Sequence, residues 1–267
     1  MSARRRKFEV WTAISLALFL MFAVFFIYPI CTLLRQAFTT KEAAFTLDNF
    51  VKFFSKSYYY NTIFNSFKVS LAVMAVSLAI GIVMSYFYSF YELKGSKFIL
   101  ISSILCCMSA PFIGAYAWIL LLGRSGAMTL MLKALGIKVG SIYGFGGILL
   151  VQATKLYPLV MIYMNGMFAN LDNSLMEASS NLGCTGLRRF FSVVLRLSMP
   201  TILAAALLVF MRAFADFGTP ILIGEGYRTF TVEIYKQFLS ETGSDYGFAS
   251  AISVIAIILE RQPQQQK

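Results

Sequence analysis

The sequence predicts an all-α integral membrane protein, and three features carry that expectation. Of its 267 residues 58% are hydrophobic and only 13% charged, with a mean hydropathy of +0.72, which is more apolar surface than a soluble fold of this size can cover. The apolar residues are gathered into runs long enough to cross a bilayer. Between two such runs lies a polar segment, Leu171 to Pro200. Its Asp172, Glu177, Arg188, Arg189 and Arg196 are too costly to desolvate in hydrocarbon, so the segment lies at a membrane surface.

In chain order, residues 1–9 form a basic tail with Arg4, Arg5, Arg6 and Lys7, which the positive-inside rule places in the cytoplasm. Residues 10–34 are uncharged and, at ~1.5 Å per residue, cross a ~30 Å hydrocarbon core with room to tilt. The run is longer than a signal-peptide core and reads as an anchor. The aromatic-rich connection 35–65 has the length for a short amphipathic helix on the outer surface. A second span near 66–91 offers Ser77 and Gly81 as a small-residue face for close helix contact. Glu92, Lys94 and Lys97 then form a tight inner loop.

A third span near 98–123 is interrupted by Pro111 and Gly114, read either as a kink held by neighbouring helices or as a bend lining a pathway. A fourth, near 141–169, contains Lys155 and Pro158. Lys155 either snorkels or faces an inner cavity.

In the surface segment, Ser174 and Glu177 have the spacing of a capping box and Gly183 is a natural left-handed stop. Leu171, Leu175, Ala178 and Leu182 fall on one face. Thr185 can cap a second short helix with Leu187, Phe190, Phe191 and Val194 opposite Arg188 and Arg189. Two short amphipathic helices joined by a glycine turn are expected over 171–196.

The fifth span, near 197–224, carries Arg212 and Asp216 four residues apart, on one helical face. They form either an intramembrane ion pair or part of a translocation path. The last apolar run, 246–259, has only fourteen residues before a polar tail at 260–267, short for a span.

Composition also removes whole classes of chemistry. With no His at all, a Ser-His-Asp triad and a His-ligated zinc are excluded. The four Cys show no C-x-x-C spacing and read as packing residues. No phosphate-binding G-x-x-x-x-G-K-[ST] occurs, so any ATP is bound by another polypeptide. The net charge of +11 suits anionic lipid head groups and topology signals; no basic stripe interleaved with aromatics points to nucleic acid.

Glu177-Ala178-Ser179, three residues, Gly183, then Val193, Leu195 and Pro200 resembles the EAA loop of the membrane subunits of binding-protein-dependent ABC importers (the MetI-like family). Ser179 replaces the family's second Ala, and Arg196 its first Pro. Phe214-Ala-Asp216-Phe-Gly218-Thr-Pro220 resembles the corresponding span of the ferric iron, polyamine and aminoethylphosphonate branches, most closely the ferric iron branch.

The resemblance implies a six-helix importer transmembrane domain over residues 10–259, with a two-helix cytoplasmic coupling loop and a last helix that is short or cut off. It implies ATPase coupling through Glu177, Ala178, Ser179, Gly183 and Arg188, no catalytic residue and no metal site. The partners it implies are a cytoplasmic ABC ATPase dimer binding ATP and Mg, a second permease subunit or fused half, and an extracytoplasmic solute-binding protein. The location it implies is the bacterial inner membrane, with ferric iron as solute. A secondary transporter, a non-transporting membrane scaffold and a non-functional permease fragment are the alternatives. The first needs midplane ion sites in repeated halves, and no internal repeat is present.

Overall fold

The computed structural model describes residues 10–39, 45–91, 95–137, 140–239 and 246–261. The expected basic tail 1–9, Glu92 and Lys94 of the inner loop, and residues 262–267 of the polar tail lie outside them. Among the described residues the regular elements are helices, beside one isolated bridge between Thr39 and Phe45. The chain divides into two units, residues 1–57 with 234–267, and residues 58–233.

The first unit contains α1 (Trp11–Ala37), α2 (Asp48–Ser55) and α13 (Tyr246–Arg261). α2 is the short helix expected in the first connection. Its Phe53 is buried, and Lys52 places its Nζ 4.5 Å from the centre of the Phe248 ring on α13. The end of α1 joins the same cluster through Ala37, which packs with Ala251 and Val254. Asn49 donates to the Ala37 carbonyl at 3.3 Å, and the Ser250 hydroxyl to Gln36 Oε1 at 3.3 Å. The rest of α1 exposes its apolar side chains, as a helix facing lipid or another protein must.

The second unit is built around α3 (Ser57–Phe90), α7 (Phe145–Ala169) and α10 (Met199–Ala215). α3 starts about nine residues before the span expected near 66–91. Its buried positions Thr62, Ser66, Val69, Val73, Ser77, Gly81 and Ser85 recur every three or four residues, so the helical stripe runs unbroken through the polar start. This stripe is small and faces α7, while large apolar residues such as Leu71, Val83 and Phe87 point outward. In a membrane the apolar medium is outside, and close approach of small residues holds helices together.

The third expected span is two helices, α4 (Ser96–Cys107) and α5 (Pro111–Leu122), the latter followed by α6 (Ala127–Ala134). Pro111 opens α5, and the residue before it, Ala110, is extended at φ −61°, ψ 148°, because the proline ring disfavours the helical conformation there. Gly114 sits within α5 and contributes no bend. Pro158 is accommodated inside the continuous α7. The fifth expected span also breaks early: α10 ends at Ala215, and α11 (Gly218–Ile223) follows after two residues.

Among the described residues four helical segments are long and apolar enough to cross a membrane: α1, α3, Pro111–Ala134 and α7. A fifth is reached if the bent pair ending in α10 is one span. The expected count of six is not confirmed on that criterion, because among the described residues α4 and the apolar part of α13 (Tyr246–Ile257) are shorter than a full span.

Candidate functional site: a surface loop and a polar break

The segment after α7 forms the two-helix loop. α8 (Asn173–Asn181) starts on an Asp172 cap, whose side chain accepts from the Ser174 amide at 2.9 Å. The expected Ser174–Glu177 capping box is therefore corrected: Ser174 is already inside the helix, and a carboxylate two residues upstream takes the amide. That bond to the Ser174 backbone, more than any other factor, holds the Asp172 carboxyl below the usual carboxylate range.

At the other end Gly183 is left-handed at φ +74°, as expected. Gly183 donates to the Ser180 carbonyl and Cys184 to the Ser179 carbonyl, each at 2.9 Å, the paired bonds of a Schellman stop. The second helix, α9, covers residues 186–197 with a π turn at Phe190–Val194. Arg189 donates to Ser180 Oγ at 3.0 Å, tying α9 to α8.

Of the expected apolar faces, Leu171, Phe190 and Val194 pack against the core, while the rest of the α8 face does not turn inward. Met176 and Ser179 pack inward on α8, together with Phe190 and Val194 on α9. Leu175, Ala178 and Leu182 are exposed, Leu182 at 87%, alongside Glu177, Gly183 and Arg188. Phe191 is also exposed, and the side chain of Leu187 lies outside the described residues. The loop is anchored by Tyr86 on α3, 4.6 Å from the Phe190 ring centre, and by Ser198, which donates to the Val194 carbonyl at 2.7 Å. At Ser198 the chain bends by 66° into α10, and Pro200 sits in the first turn of α10.

The expected Arg212–Asp216 ion pair is a second correction, since no such pair occurs among the described residues. α10 stops one residue before Asp216, which is extended at φ −71°, ψ 122°, so the i, i+4 register that would align the two is lost. The Asp216 carboxylate turns forward instead. Oδ1 accepts from the Gly218 amide at 3.2 Å, and Oδ2 from Thr219 Oγ1 at 2.6 Å and from Gln152 Nε2 at 3.1 Å. Thr231 Oγ1 donates to the Asp216 carbonyl at 3.1 Å. Arg212 is exposed.

Gln152 and Thr219 are absent from the sequence reading of this site. The signal for Gln152 was present, because a primary amide inside the apolar run of α7 is costly in a membrane and marks a site by default. The break at Asp216 rests on that in the third span. Gly218 lies so close to Pro111 that a Cβ there would meet the proline Cβ at 2.6 Å, and the Phe112 and Phe217 rings meet edge to face at 5.4 Å.

Beyond α11 the chain, which continues into α12 (Phe230–Phe238), is knitted to the start of α3. Asn65 donates to the Arg228 carbonyl at 3.1 Å, the Phe230 amide to Ser66 Oγ at 2.8 Å, and Tyr58 to the buried Glu233 at 3.0 Å. Burial pushes the Tyr227 phenol up, so it stays a donor, here to the Asn65 carbonyl at 3.2 Å. Arg124 and Glu225 form an exposed ion pair.

A helical membrane protein with an anchored surface loop and broken spans is the class these features define. Residues 105–261 match the family described as "Binding-protein-dependent transport system inner membrane component", and the chain belongs to that family. It is 27% identical over 254 residues to the ferric transport system permease protein FbpB of Actinobacillus pleuropneumoniae, covering 94% of this chain and 36% of that protein. The chain thus spans just over a third of that relative's length. It is 26% identical over 257 residues to the spermidine/putrescine transport system permease protein PotB of Haemophilus influenzae, covering 92% of this chain and 89% of the relative. Among solved structures, a chain of a bacterial alginate ABC transporter, crystallised with an alginate pentasaccharide-bound periplasmic protein, superposes with a TM-score of 0.79. That match covers 94% of this chain and 90% of the other at 18% identity, a likeness of fold alone.

Proposed function

We propose that the chain is a permease subunit of an ATP-driven ABC importer in a bacterial inner membrane, with the 171–196 loop and the N-terminus on the cytoplasmic side. One observation carries the coupling role. The tip of the loop exposes Leu175, Ala178 and Leu182 next to Glu177 while its other face is anchored to α3 and α7. An apolar patch with a central carboxylate, held on a fixed base, is a knob for a cleft on a cytoplasmic ATPase. Gly183 and Ser179 shape the knob, Arg188 lies at its rim, and ATP with Mg is bound by that partner. A second permease or fused half and an extracytoplasmic binding protein complete the transporter. The spans of the proposal are the six apolar segments of the sequence, with the bounds of α1, α3, α4–α5, α7, α10–α11 and α13.

Ferric iron is the first solute to test, on the strength of the ferric relatives. A second reading, an amine-bearing solute of the polyamine or aminoethylphosphonate kind, is favoured by the lone Asp216 carboxylate with its neutral donors. Co-reconstitution with the ATPase and binding protein tests the function: nucleotide-dependent uptake is expected, and uptake undiminished without hydrolysis refutes it.

A further inference from the structure

We propose that Asp216, Gln152 and Thr219 form a binding station for a primary ammonium group. The proposal deepens the importer reading and rests on it for the identity of the group as cargo, though not for the binding itself.

The site is assembled where α10 breaks. Asp216 is an acidic side chain whose direct partners are three neutral donors, the Gly218 amide, the Thr219 hydroxyl and the Gln152 amide. A carboxylate offers about four acceptor positions, so Oδ1 retains one. Gln152 is 1% exposed, and while its Nε2 is engaged by Asp216, its Oε1 meets no donor in the protein. Geometry fixes that orientation, because exchanging the two amide atoms would press an oxygen against the carboxylate. A buried amide oxygen without a donor is expensive, and this one lies within a few ångströms of the Asp216 carboxylate. Thr219, fully buried, touches the same carboxylate through its hydroxyl, which keeps its lone pairs.

The helix ends agree in sign. The last carbonyls of the 17-residue α10 converge on the break, the negative end of its dipole. The opposing α11 has only six residues. Asp216 itself is partly exposed, which gives the station an open side.

The chemistry selects the ligand. Hard divalent or trivalent metals take six or more oxygens, several of them anionic, and among the described residues no three His, Cys, Asp or Glu side chains come together. An ammonium group carries one positive charge and three donors. It matches one carboxylate oxygen, one amide oxygen and one hydroxyl.

The test titrates the full chain in lipid nanodiscs with n-butylammonium chloride, read by calorimetry and thermal shift. n-Butanol, sodium chloride and ferric citrate serve as separate arms. Saturable binding of butylammonium alone is expected, weakened tenfold or more in both Asp216→Asn and Gln152→Met. Gln152→Met keeps the carboxylate, so it separates the station from general attraction of cations, and monodisperse elution checks that each variant is folded. Equal response to butanol or sodium, response to ferric citrate alone, no saturable binding, or undiminished binding by either folded variant would each overturn the proposal. Uptake by the reconstituted transporter reads the importer role separately. Binding without nucleotide-dependent uptake leaves the station standing and removes the function; uptake without butylammonium binding does the reverse.

Discussion

Gly81 on α3 faces Val160 on α7 at such short range that a Cβ at position 81 would come within 2.5 Å of the valine Cβ and 2.8 Å of the Tyr157 carbonyl. Overpacking a close helix contact costs about 1–3 kcal/mol. Gly81→Ala is therefore expected to lower the thermal midpoint in detergent, and Gly81→Leu to prevent stable folding. Gly146, around which a Cβ meets open space, is the control and should tolerate alanine.

The Asp172 cap makes a prediction with a definite pH sign. Its folded-state pKa lies below the ordinary value of a free aspartate. Its contribution is thus fully present above the unfolded value and is lost as pH falls through the lowered one. Protection of the α8 amides, relative to their intrinsic exchange rates, should be constant with pH near neutrality and fall in acid. Asp172→Asn, which keeps an acceptor, should remove that acid step, whereas Ser174→Ala keeps the capped amide and should leave the step in place, moved to higher pH by loss of the hydroxyl's smaller contribution.

A double-mutant cycle addresses Arg212 and Asp216. Residues in direct contact couple by about 0.5–3 kcal/mol. With no ion pair between them, Arg212→Gln and Asp216→Asn should be additive in stability to within about 0.5 kcal/mol. Gln152→Met with Asp216→Asn should instead be strongly non-additive, since their side chains share a hydrogen bond.

Charge reversal at the exposed loop tip separates docking from folding. Glu177→Lys is expected to abolish co-purification with the partner ATPase while membrane insertion and the thermal midpoint stay unchanged. Retained association would sink the coupling role given to Glu177.

Much of this architecture could be read from the residues alone, and the misses share a cause. Hydrophobic runs, the glycine stop at Gly183 and the small face of Ser77 and Gly81 are local signals, and each appears where the pattern puts it. The start of α3 is not marked in the sequence because Tyr58 to Phe64 mixes polar and exposed aromatic residues, and this end of the helix is tied down by long-range bonds of Tyr58, Asn65 and Ser66 to Glu233, Arg228 and Phe230. Ser174 lost the cap to Asp172, two residues away, because both side chains compete for the same amides and spacing alone does not rank them. The Arg212–Asp216 pairing assumed an uninterrupted helix. The break that dissolves it is set by Gly218 docking on Pro111, a contact between residues 107 positions apart that no window of sequence displays.

The locked bend at Ser198 has a mechanical corollary. Its hydroxyl holds the Val194 carbonyl on one side and faces Met167 Sδ at 3.1 Å on the other, with the residue wholly buried. The joint is fastened to α7, not left to swivel. A twelve-residue arm of about 18 Å runs up to this joint and α10 continues from it to Asp216, so the surface loop and the polar notch are the two ends of one bent rod.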